Sequence, residues 1–206
     1  MSFFRRTDGG RWLVGGLGNP GERYADTRHN LGVLALEELL RRTGTKLGSH
    51  KSGCLIAETD LEGSRVVLAR STTYMNESGR PIGALRRWYK VPVDRLVVVY
   101  DEIDLPFGEV RIKVGGGAAG HNGVRSVIDH LGPDFVRIRG GVGRPRGRKE
   151  AADHVLATFS SGERKELPFL VSDLADAVEE VVTKGVERAM NEVNTRPQEG
   201  LRHPRN

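Results

Sequence analysis

GLGNPG, residues 16–21, follows a short apolar run and matches the G-x-G-x-x-G pattern of a dinucleotide-binding turn. In that turn the glycines let a helix begin directly over a pyrophosphate, and an acidic residue follows about 20 residues later at the end of a second strand. Here the helical period of apolar residues begins only at Leu31, and the acids at that distance, Glu37 and Glu38, fall inside the helix. The stretch therefore predicts a strand and a loop, and we set NAD binding aside.

Apolar runs of strand length alternate with helical periods along the 206 residues. We expect strands at residues 12–15, 54–58, 65–69, 96–100, 110–114 and 136–142. Helices are expected at residues 29–42, 78–89, 123–131 and 163–191, the last preceded by the capping-box spacing of Ser160 and Glu163. This alternation predicts a single α/β domain over residues 1–192, a twisted mixed sheet with helices packed on its faces. Residues 193–206 are expected to form a disordered tail.

Composition points to a soluble intracellular protein. The sequence contains no apolar run of 18 residues, and its polar N-terminus does not resemble a signal peptide, so we expect no membrane association. The single cysteine, Cys54, agrees with a reducing compartment such as the cytoplasm.

Positive charge is concentrated between Phe135 and Lys149. This segment holds six cations and no acid, whereas the formal net charge of the whole chain is +5. The cations are Arg137, Arg139, Arg144, Arg146, Arg148 and Lys149. Such a surplus attracts polyanions, so it is compatible either with a nucleic-acid partner or with a solvated loop.

Two residues could form a general base. His29 lies at the entry to the first long helix, and Asp101 follows the apolar strand LVVVY. Ligands of open α/β sheets bind near the carboxyl ends of strands, so both side chains are expected near one crevice. An aspartate that accepts from one imidazole nitrogen fixes the tautomer and makes the other nitrogen a better base. His29 alone could be a helix cap or a surface residue, and Asp101 alone could be a helix cap or a turn residue.

Three asparagines, Asn19, Asn76 and Asn122, recur in loops that leave a strand or enter a helix. Each one alone is typical of a turn. If they converge, their carboxamides could donate to a developing oxyanion, which suits acyl transfer without a metal.

Other chemistries fit less well. Asp101, Glu102 and Asp104 with His29 and His121 could hold a metal, but the chain lacks H-x-x-x-H or similar ligand spacing. A nucleophilic serine would call for G-x-S-x-G, which is absent from the sequence.

The Gly-rich stretch VGGGAAGHNG lacks the G-K-[ST] ending of a phosphate-binding P-loop. Its amides and Lys113 could still approach backbone phosphates. Lys113 and Arg139 lie on strands expected to be neighbours, so they could grip one phosphate together.

Five motifs in order, GLGNPGERYADTRHNLG, TTYMNESG, DEIDLPFG, GGGAAGHNG and RIRGGVGRP, closely resemble those of the bacterial-type peptidyl-tRNA hydrolases over residues 12–190. The resemblance implies a monomeric, metal-independent esterase without a cofactor, which releases peptides from prematurely dropped peptidyl-tRNA so that the tRNA can be reused in translation. An RNA-binding protein that has lost hydrolysis is the alternative, although such a protein would not need the residues discussed above.

The resemblance also assigns roles to individual residues. It implies His29 as catalytic base, Asp101 as the residue that orients it, and Asn19 and Asn76 as residues that position the peptide end and the water. Further substrate contacts are implied for the cleft residue Asn122, for Tyr24 and Tyr74 at the tRNA end, and for Lys113 and Arg139 at a phosphate. No residue is assigned to a metal.

Overall fold

Seven strands form one mixed sheet in the computed structural model, which describes residues 10–145 and 150–196. The strands are β1 (Trp12–Gly16), β2 (Gly48–His50), β3 (Cys54–Leu61), β4 (Ser64–Ser71), β5 (Leu96–Glu102), β6 (Val110–Val114) and β7 (Val136–Gly141). Their order across the sheet is β2-β3-β4-β1-β5-β7-β6. The four central strands are parallel, while β2, β3 and β6 run antiparallel to their neighbours at the two edges. The predicted mixed sheet is confirmed.

Helices cover both faces of this sheet. They are α1 (Glu22–Ala25), α2 (Leu31–Thr43), α3 (Gly79–Trp88), α4 (Asn122–Leu131), α5 (Ala151–Val155), α6 (Ser161–Lys184) and α7 (Val186–Thr195). One hydrophobic cluster joins the sheet to α2, α6 and α7, and a second joins the other face to α3 and α4. No helix among the described residues is long and apolar enough to span a membrane.

Gly16 of the opening stretch and Gly32 of α2 allow close packing of helix and sheet. A Cβ atom on Gly32, in the first turn of α2, would lie 2.1 Å from the carbonyl oxygen of Val99 in β5. A Cβ atom on Gly16 would lie 2.4 Å from the carbonyl oxygen of Gly32. Because both distances are shorter than real contacts, the start of α2 can pack this closely against β1 and β5 only if these positions lack side chains. This entry places the 3₁₀ turn Arg28–Asn30, directly before α2, at the carboxyl ends of both strands.

The C-terminal helical region differs from its prediction in two ways. The capping box of Ser160 and Glu163 is present, but the expected single helix divides at Gly185, whose φ is 88°. The tail predicted from residue 193 is wrong for residues 193–195, which belong to α7. The Asn194 carboxamide accepts from the backbone N–H of Ile112 (2.8 Å) and donates to its carbonyl (2.9 Å). These bonds fix the end of α7 to the edge strand β6; residues 197–206 lie outside the described residues.

Three short elements were not predicted: β2, α1 and α5. They contain three, four and five residues, fewer than a hydrophobic period needs to become visible. Of these, α5 matters most for function because its residues contribute to the cleft described next.

Candidate active site

A cleft of about 590 Å³ opens beside the carboxyl ends of β1 and β5. Its lining combines polar groups from four loops with an apolar side. The polar lining includes Asn19, Tyr24, His29, Tyr74, Asn76, Asp101, Glu102, His121 and Asn122. The apolar side includes Ala151, Ala152, Val155 and Leu156, which we call the α5 wall. Seven of the nine residues expected to form the site therefore line one cleft.

His29 and Asp101 are in direct contact at the floor of this cleft. Nδ1 of His29 lies 2.9 Å from Oδ1 and 3.1 Å from Oδ2 of Asp101. Both residues are buried. With an ionised carboxylate, Nδ1 must carry the proton and donate it, so Nε2 of His29 keeps a free lone pair. This is the arrangement that a general base requires.

His121 is a third member of this cluster, and the sequence analysis considered it only as a metal ligand. Its Nδ1 accepts from the backbone N–H groups of Gly123 (3.1 Å) and Val124 (3.2 Å) at the start of α4. Its Nε2 must therefore carry the proton, which it donates to Oδ1 of Asp101 at 3.1 Å. Asp101 thus accepts hydrogen bonds from two imidazoles. The helix-cap spacing of His121 is visible in the sequence, whereas the direction of its Nε2 depends on the tertiary fold.

The charge of Asp101 is stabilised by these neighbours. Complete burial acts to raise the pKa of its carboxyl group, but the imidazoles of His29 and His121 outweigh burial and hold the pKa well below its usual range. The carboxylate is therefore ionised at neutral pH, and it can stabilise an imidazolium that forms on His29 during catalysis.

The Asn19 carboxamide is oriented by its surroundings. Its Oδ1 accepts from the backbone N–H of Met75 at 2.8 Å, so its NH₂ group is left as the donor that the side chain can offer to the cleft. Asn30, which the sequence analysis did not single out, binds the Asn19 backbone on both sides: its Oδ1 accepts from the Asn19 N–H (2.8 Å) and its Nδ2 donates to the Asn19 carbonyl (3.0 Å). The position and the orientation of Asn19 are therefore both fixed.

The other cleft residues that were expected to contact the substrate lie on its rim. Asn76 and Asn122 are exposed, the first in a 3₁₀ turn before α3 and the second at the start of α4. The rings of Tyr24 and Tyr74 meet edge to face with centroids 6.4 Å apart, and Tyr74 is 53% exposed. Tyr74 is thus exposed where the cleft meets solvent, whereas the Arg23 guanidinium lies over one face of Tyr24, 4.4 Å from the ring centroid.

Lys113 and Arg139 lie outside the cleft lining, on the paired strands β6 and β7. Lys113 is opposite Arg137 and Arg111 is opposite Arg139, so all four side chains lie on one face. We call this set the cation ribbon. Arg139 is not a free cation, because it forms an ion pair with Glu102 of the cleft at 3.6 Å. Lys113 is exposed.

The described cations of the basic segment from Phe135 onward do not share one surface. Arg137 is buried and donates to the carbonyl oxygens of Gly116, Gly117 and Pro133, which fixes the Gly-rich loop. Arg144 is exposed and pairs with Asp104 at 2.5 Å. The other cations of the segment lie outside the described residues; they are Arg146, Arg148 and Lys149.

The metal hypothesis can be compared with the same geometry. Within the described ranges, one group of potential metal ligands occurs, namely His29, Asp101 and His121, whose ligand atoms lie within 4.8 Å of one another. Glu102 and Asp104 are not part of it; Oε1 of Glu102 accepts from the Asp104 backbone N–H at 3.2 Å instead. The nitrogens of His29 and His121 that face Asp101 are both accounted for as hydrogen-bond donors.

Comparison with known proteins identifies the family. The family model described as Peptidyl-tRNA hydrolase matches residues 13–200. A protein of that name from Frankia casuarinae is 53% identical over 186 residues, covering 90% of this chain and 94% of the relative. Another from Mycolicibacterium smegmatis is 50% identical over 184 residues, covering 88% and 96%. The crystal structure of peptidyl-tRNA hydrolase from Acinetobacter baumannii superposes with a TM-score of 0.84 at 35% identity, covering 89% of this chain and 94% of that one. The chain therefore belongs to the peptidyl-tRNA hydrolase family.

Proposed function

We propose that the protein hydrolyses the ester bond between the peptide and the terminal ribose of peptidyl-tRNA, releasing free tRNA for reuse in translation. The observation that carries this proposal is the contact between His29 and Asp101 on the floor of a cleft, in a chain whose relatives bear the name peptidyl-tRNA hydrolase. The same contact argues against a pure RNA-binding protein, which has no need of an oriented base.

The reaction follows from the orientation of His29. Nε2 removes a proton from a water molecule, whose oxygen attacks the ester carbonyl carbon to give a tetrahedral oxyanion. When this intermediate collapses, the bond to the ribose oxygen breaks, and that oxygen takes the proton back from the imidazolium. The products are the free peptide carboxyl group and a tRNA with an intact terminal ribose. General-base assistance of this kind contributes about 10²- to 10⁴-fold to the rate.

Asn19 is assigned the oxyanion contact. Because its oxygen is bound to Met75 N–H, its NH₂ group is the part that can donate to a developing negative charge. The same donor disfavours a protonated α-amine in its vicinity, since two donors cannot pair. This gives a physical reason for preferring peptidyl-tRNA to free aminoacyl-tRNA. Asn76 is proposed to assist in positioning the substrate and water.

The rim is proposed to hold the end of the tRNA. Tyr24 and Tyr74 offer faces on which an unpaired base can stack, an interaction typical of single-stranded RNA recognition. Asn122, at the start of α4, can bind the same end through its carboxamide.

Lys113 and Arg139 are proposed to bind a tRNA phosphate, with unequal shares. In the ribbon, Arg111 pairs with Glu109 at 3.2 Å and Arg137 donates to backbone carbonyls. The surplus of positive charge on this face still attracts an external polyanion. Lys113 is exposed and available for it. Arg139 is paired with Glu102 and would have to divide its donors between this carboxylate and the phosphate.

We further propose that the enzyme works as a monomer in the cytoplasm, without a metal ion, a cofactor or a membrane. Metal independence is supported by the hydrogen bonds that Asp101 accepts from His29 and His121, since these engage the imidazole nitrogens that face the carboxylate. A substrate generated by translation also places the reaction in the compartment of protein synthesis.

The function is tested with purified wild-type protein and a tRNA charged with an N-acetylated amino acid. We expect release of the acetylated amino acid by the protein, and much slower hydrolysis of the same tRNA carrying a free α-amine. Binding of the tRNA without hydrolysis would instead support the RNA-binding alternative and overturn the proposal.

A further inference from the structure

Arg28, the residue before the proposed base, forms an extensive buried network. Its side chain is only 8% exposed. Nε donates to Oε1 of Glu163 at 3.3 Å, and Nη2 donates to Oε2 of Glu163 at 2.5 Å. Nη1 donates to three backbone carbonyls, those of His154 (3.3 Å), Ala157 (3.1 Å) and Thr158 (2.8 Å). A single side chain therefore connects the catalytic turn to two later segments of the chain.

The three carbonyls belong to the end of α5 and the residues after it. Only the His154 carbonyl lies within α5, where it also accepts from the backbone N–H of Ala157 at 3.2 Å. The backbone N–H of Arg28 also donates to the Ala157 carbonyl at 3.2 Å, and Thr27 forms an antiparallel bridge with Thr158. The α5 wall is thereby attached to the same 3₁₀ turn that carries His29.

Glu163 extends the network into α6. Its Oε2 also accepts from the backbone N–H of Ser160 at 2.6 Å in the capping box. Burial acts to raise the pKa of this carboxyl group, but the hydrogen bonds from Ser160 and Arg28 lower it overall. The Glu163 carboxylate is charged at neutral pH and is the counter-ion of Arg28. The guanidinium of Arg28 is planar and presents several N–H donors at fixed angles, which a lysine cannot reproduce.

We propose that Arg28 is a positioning residue for the peptide part of the substrate, which sets the α5 wall at a fixed distance from His29. This rests on the proposed function. The wall is apolar, formed by two alanines, Val155 and Leu156, and Leu156 is 43% exposed. Such a surface suits peptide side chains and not phosphates. Residues of the peptide beyond the first one therefore pack on the wall, and Arg28 determines how closely.

The test compares two substrates, a tRNA with one N-acetylated amino acid and a tRNA with an N-acetylated tetrapeptide of apolar residues. Arg28→Lys keeps the positive charge and a long aliphatic chain, but the lysine ammonium cannot donate to Glu163 and to all three carbonyls at once. We expect it to raise KM for the tetrapeptide substrate roughly tenfold, the order associated with losing a charge-assisted hydrogen bond. KM for the single-residue substrate should change by less than about threefold. The pH dependence of kcat should match the wild type, because the contact of His29 with Asp101 is retained.

Two further variants separate positioning from stability. Glu163→Gln keeps a capping-box side chain but removes the counter-ion, and it should raise the KM ratio of the two substrates in the same direction. Arg42→Lys is the matched control, since Arg42 bridges α2 to Asp176 (2.6 Å) and Glu179 (3.0 Å) of α6, none of which lines the cleft. It should lower thermal stability without changing the KM ratio. All assays are made at a temperature at which circular dichroism shows each variant folded.

The outcomes are distinct. A raised KM ratio in Arg28→Lys and Glu163→Gln, and not in Arg42→Lys, supports the proposal. An unchanged ratio in Arg28→Lys, or an equal change in Arg42→Lys, overturns it. If the wild type hydrolysed neither substrate, the proposed function itself would be contradicted, and this result differs from an unchanged KM ratio.

Discussion

The His29–Asp101 pair and the cation ribbon differ in burial, although Asp101 in β5 and the ribbon residues of β7 lie on neighbouring strands. Both members of the pair are buried, and Asp101 accepts hydrogen bonds from the imidazoles of His29 and His121. In the ribbon, by contrast, Lys113 is exposed and Arg139 forms an ion pair with Glu102. A preorganised buried group contributes to the chemical step, whereas an exposed cation contributes to salt-dependent binding. The two regions should therefore respond differently to substitution.

The largest expected effect is that of His29→Ala. Removal of the base should lower kcat about 10²- to 10⁴-fold, while the affinity for tRNA stays within about twofold because no cation is lost. Single-turnover hydrolysis of an N-acetylated aminoacyl-tRNA measures the first quantity, and a filter-binding titration measures the second. Hydrolysis by the variant at the wild-type rate would show that His29 is not the base.

Asn19→Asp should have the next largest effect. The carboxylate would still accept from Met75 N–H, but it would place an acceptor where the oxyanion needs a donor, at a loss of about 10²- to 10³-fold in kcat. The variant should also lose the preference for the N-acetylated substrate over the free α-amine, since a carboxylate attracts an ammonium group. An unchanged preference would exclude Asn19 as the discriminating residue.

Substitutions in the cation ribbon should change KM more than kcat. Lys113→Ala is expected to raise KM several-fold and to reduce the slope of log KM against log salt concentration by about one, with kcat unchanged. Arg139→Ala should differ, because it leaves Glu102 at the cleft without its counter-ion and so also lowers kcat. Identical behaviour of the two variants would mean that the ion pair with Glu102 is irrelevant to the reaction.

The buried pair should also leave a signature in acid stability. The pKa of Asp101 is lowered from an ordinary value of 3.8, so its stabilising contribution is present above that value and is lost as the pH falls below it. The free energy of unfolding of the wild type should therefore fall more steeply below about pH 4 than that of Asp101→Asn. Lys113→Ala, the control from the ribbon, should follow the wild type. Urea titrations at several pH values measure the difference, and parallel curves for wild type and Asp101→Asn would contradict it.

The smallest expected effect is that of metal removal. Because the imidazole N–H groups of His29 and His121 are both engaged with Asp101, dialysis against a chelator should leave kcat within about twofold of its starting value. Loss of activity in chelator, with recovery after addition of zinc, would favour the metal-dependent hydrolase.

Local patterns allowed much of the fold and most of the cleft to be predicted from sequence. The apolar period of α2 and its end at Gly44 are local signals, and Gly44 has the left-handed conformation that such an end requires. The rule that side chains at the carboxyl ends of parallel strands converge led to His29, Asp101 and the three asparagines. Tyr24 and Tyr74 were expected only from the family resemblance.

Features that depend on distant contacts were not predicted. The Nε2 contact of His121 with Asp101, the ion pair of Arg139 with Glu102 and the bonds of Arg28 to the carbonyls beside the α5 wall join residues up to 130 positions apart. The prediction that Lys113 and Arg139 lie on neighbouring strands was correct. The strand pattern alone does not reveal that Glu102 forms an ion pair with Arg139.

The most direct test of the central claim is the pH dependence of kcat at saturating substrate, compared between the wild type and His29→Ala. A general base acts only when unprotonated, so wild-type kcat should fall tenfold per pH unit on the acid side of a single ionisation. The residual activity of His29→Ala should lack this ionisation and follow the hydroxide dependence of the uncatalysed ester. If His29→Ala retained the wild-type acid limb, the base would be another group, and the role assigned to the His29–Asp101 contact would be wrong.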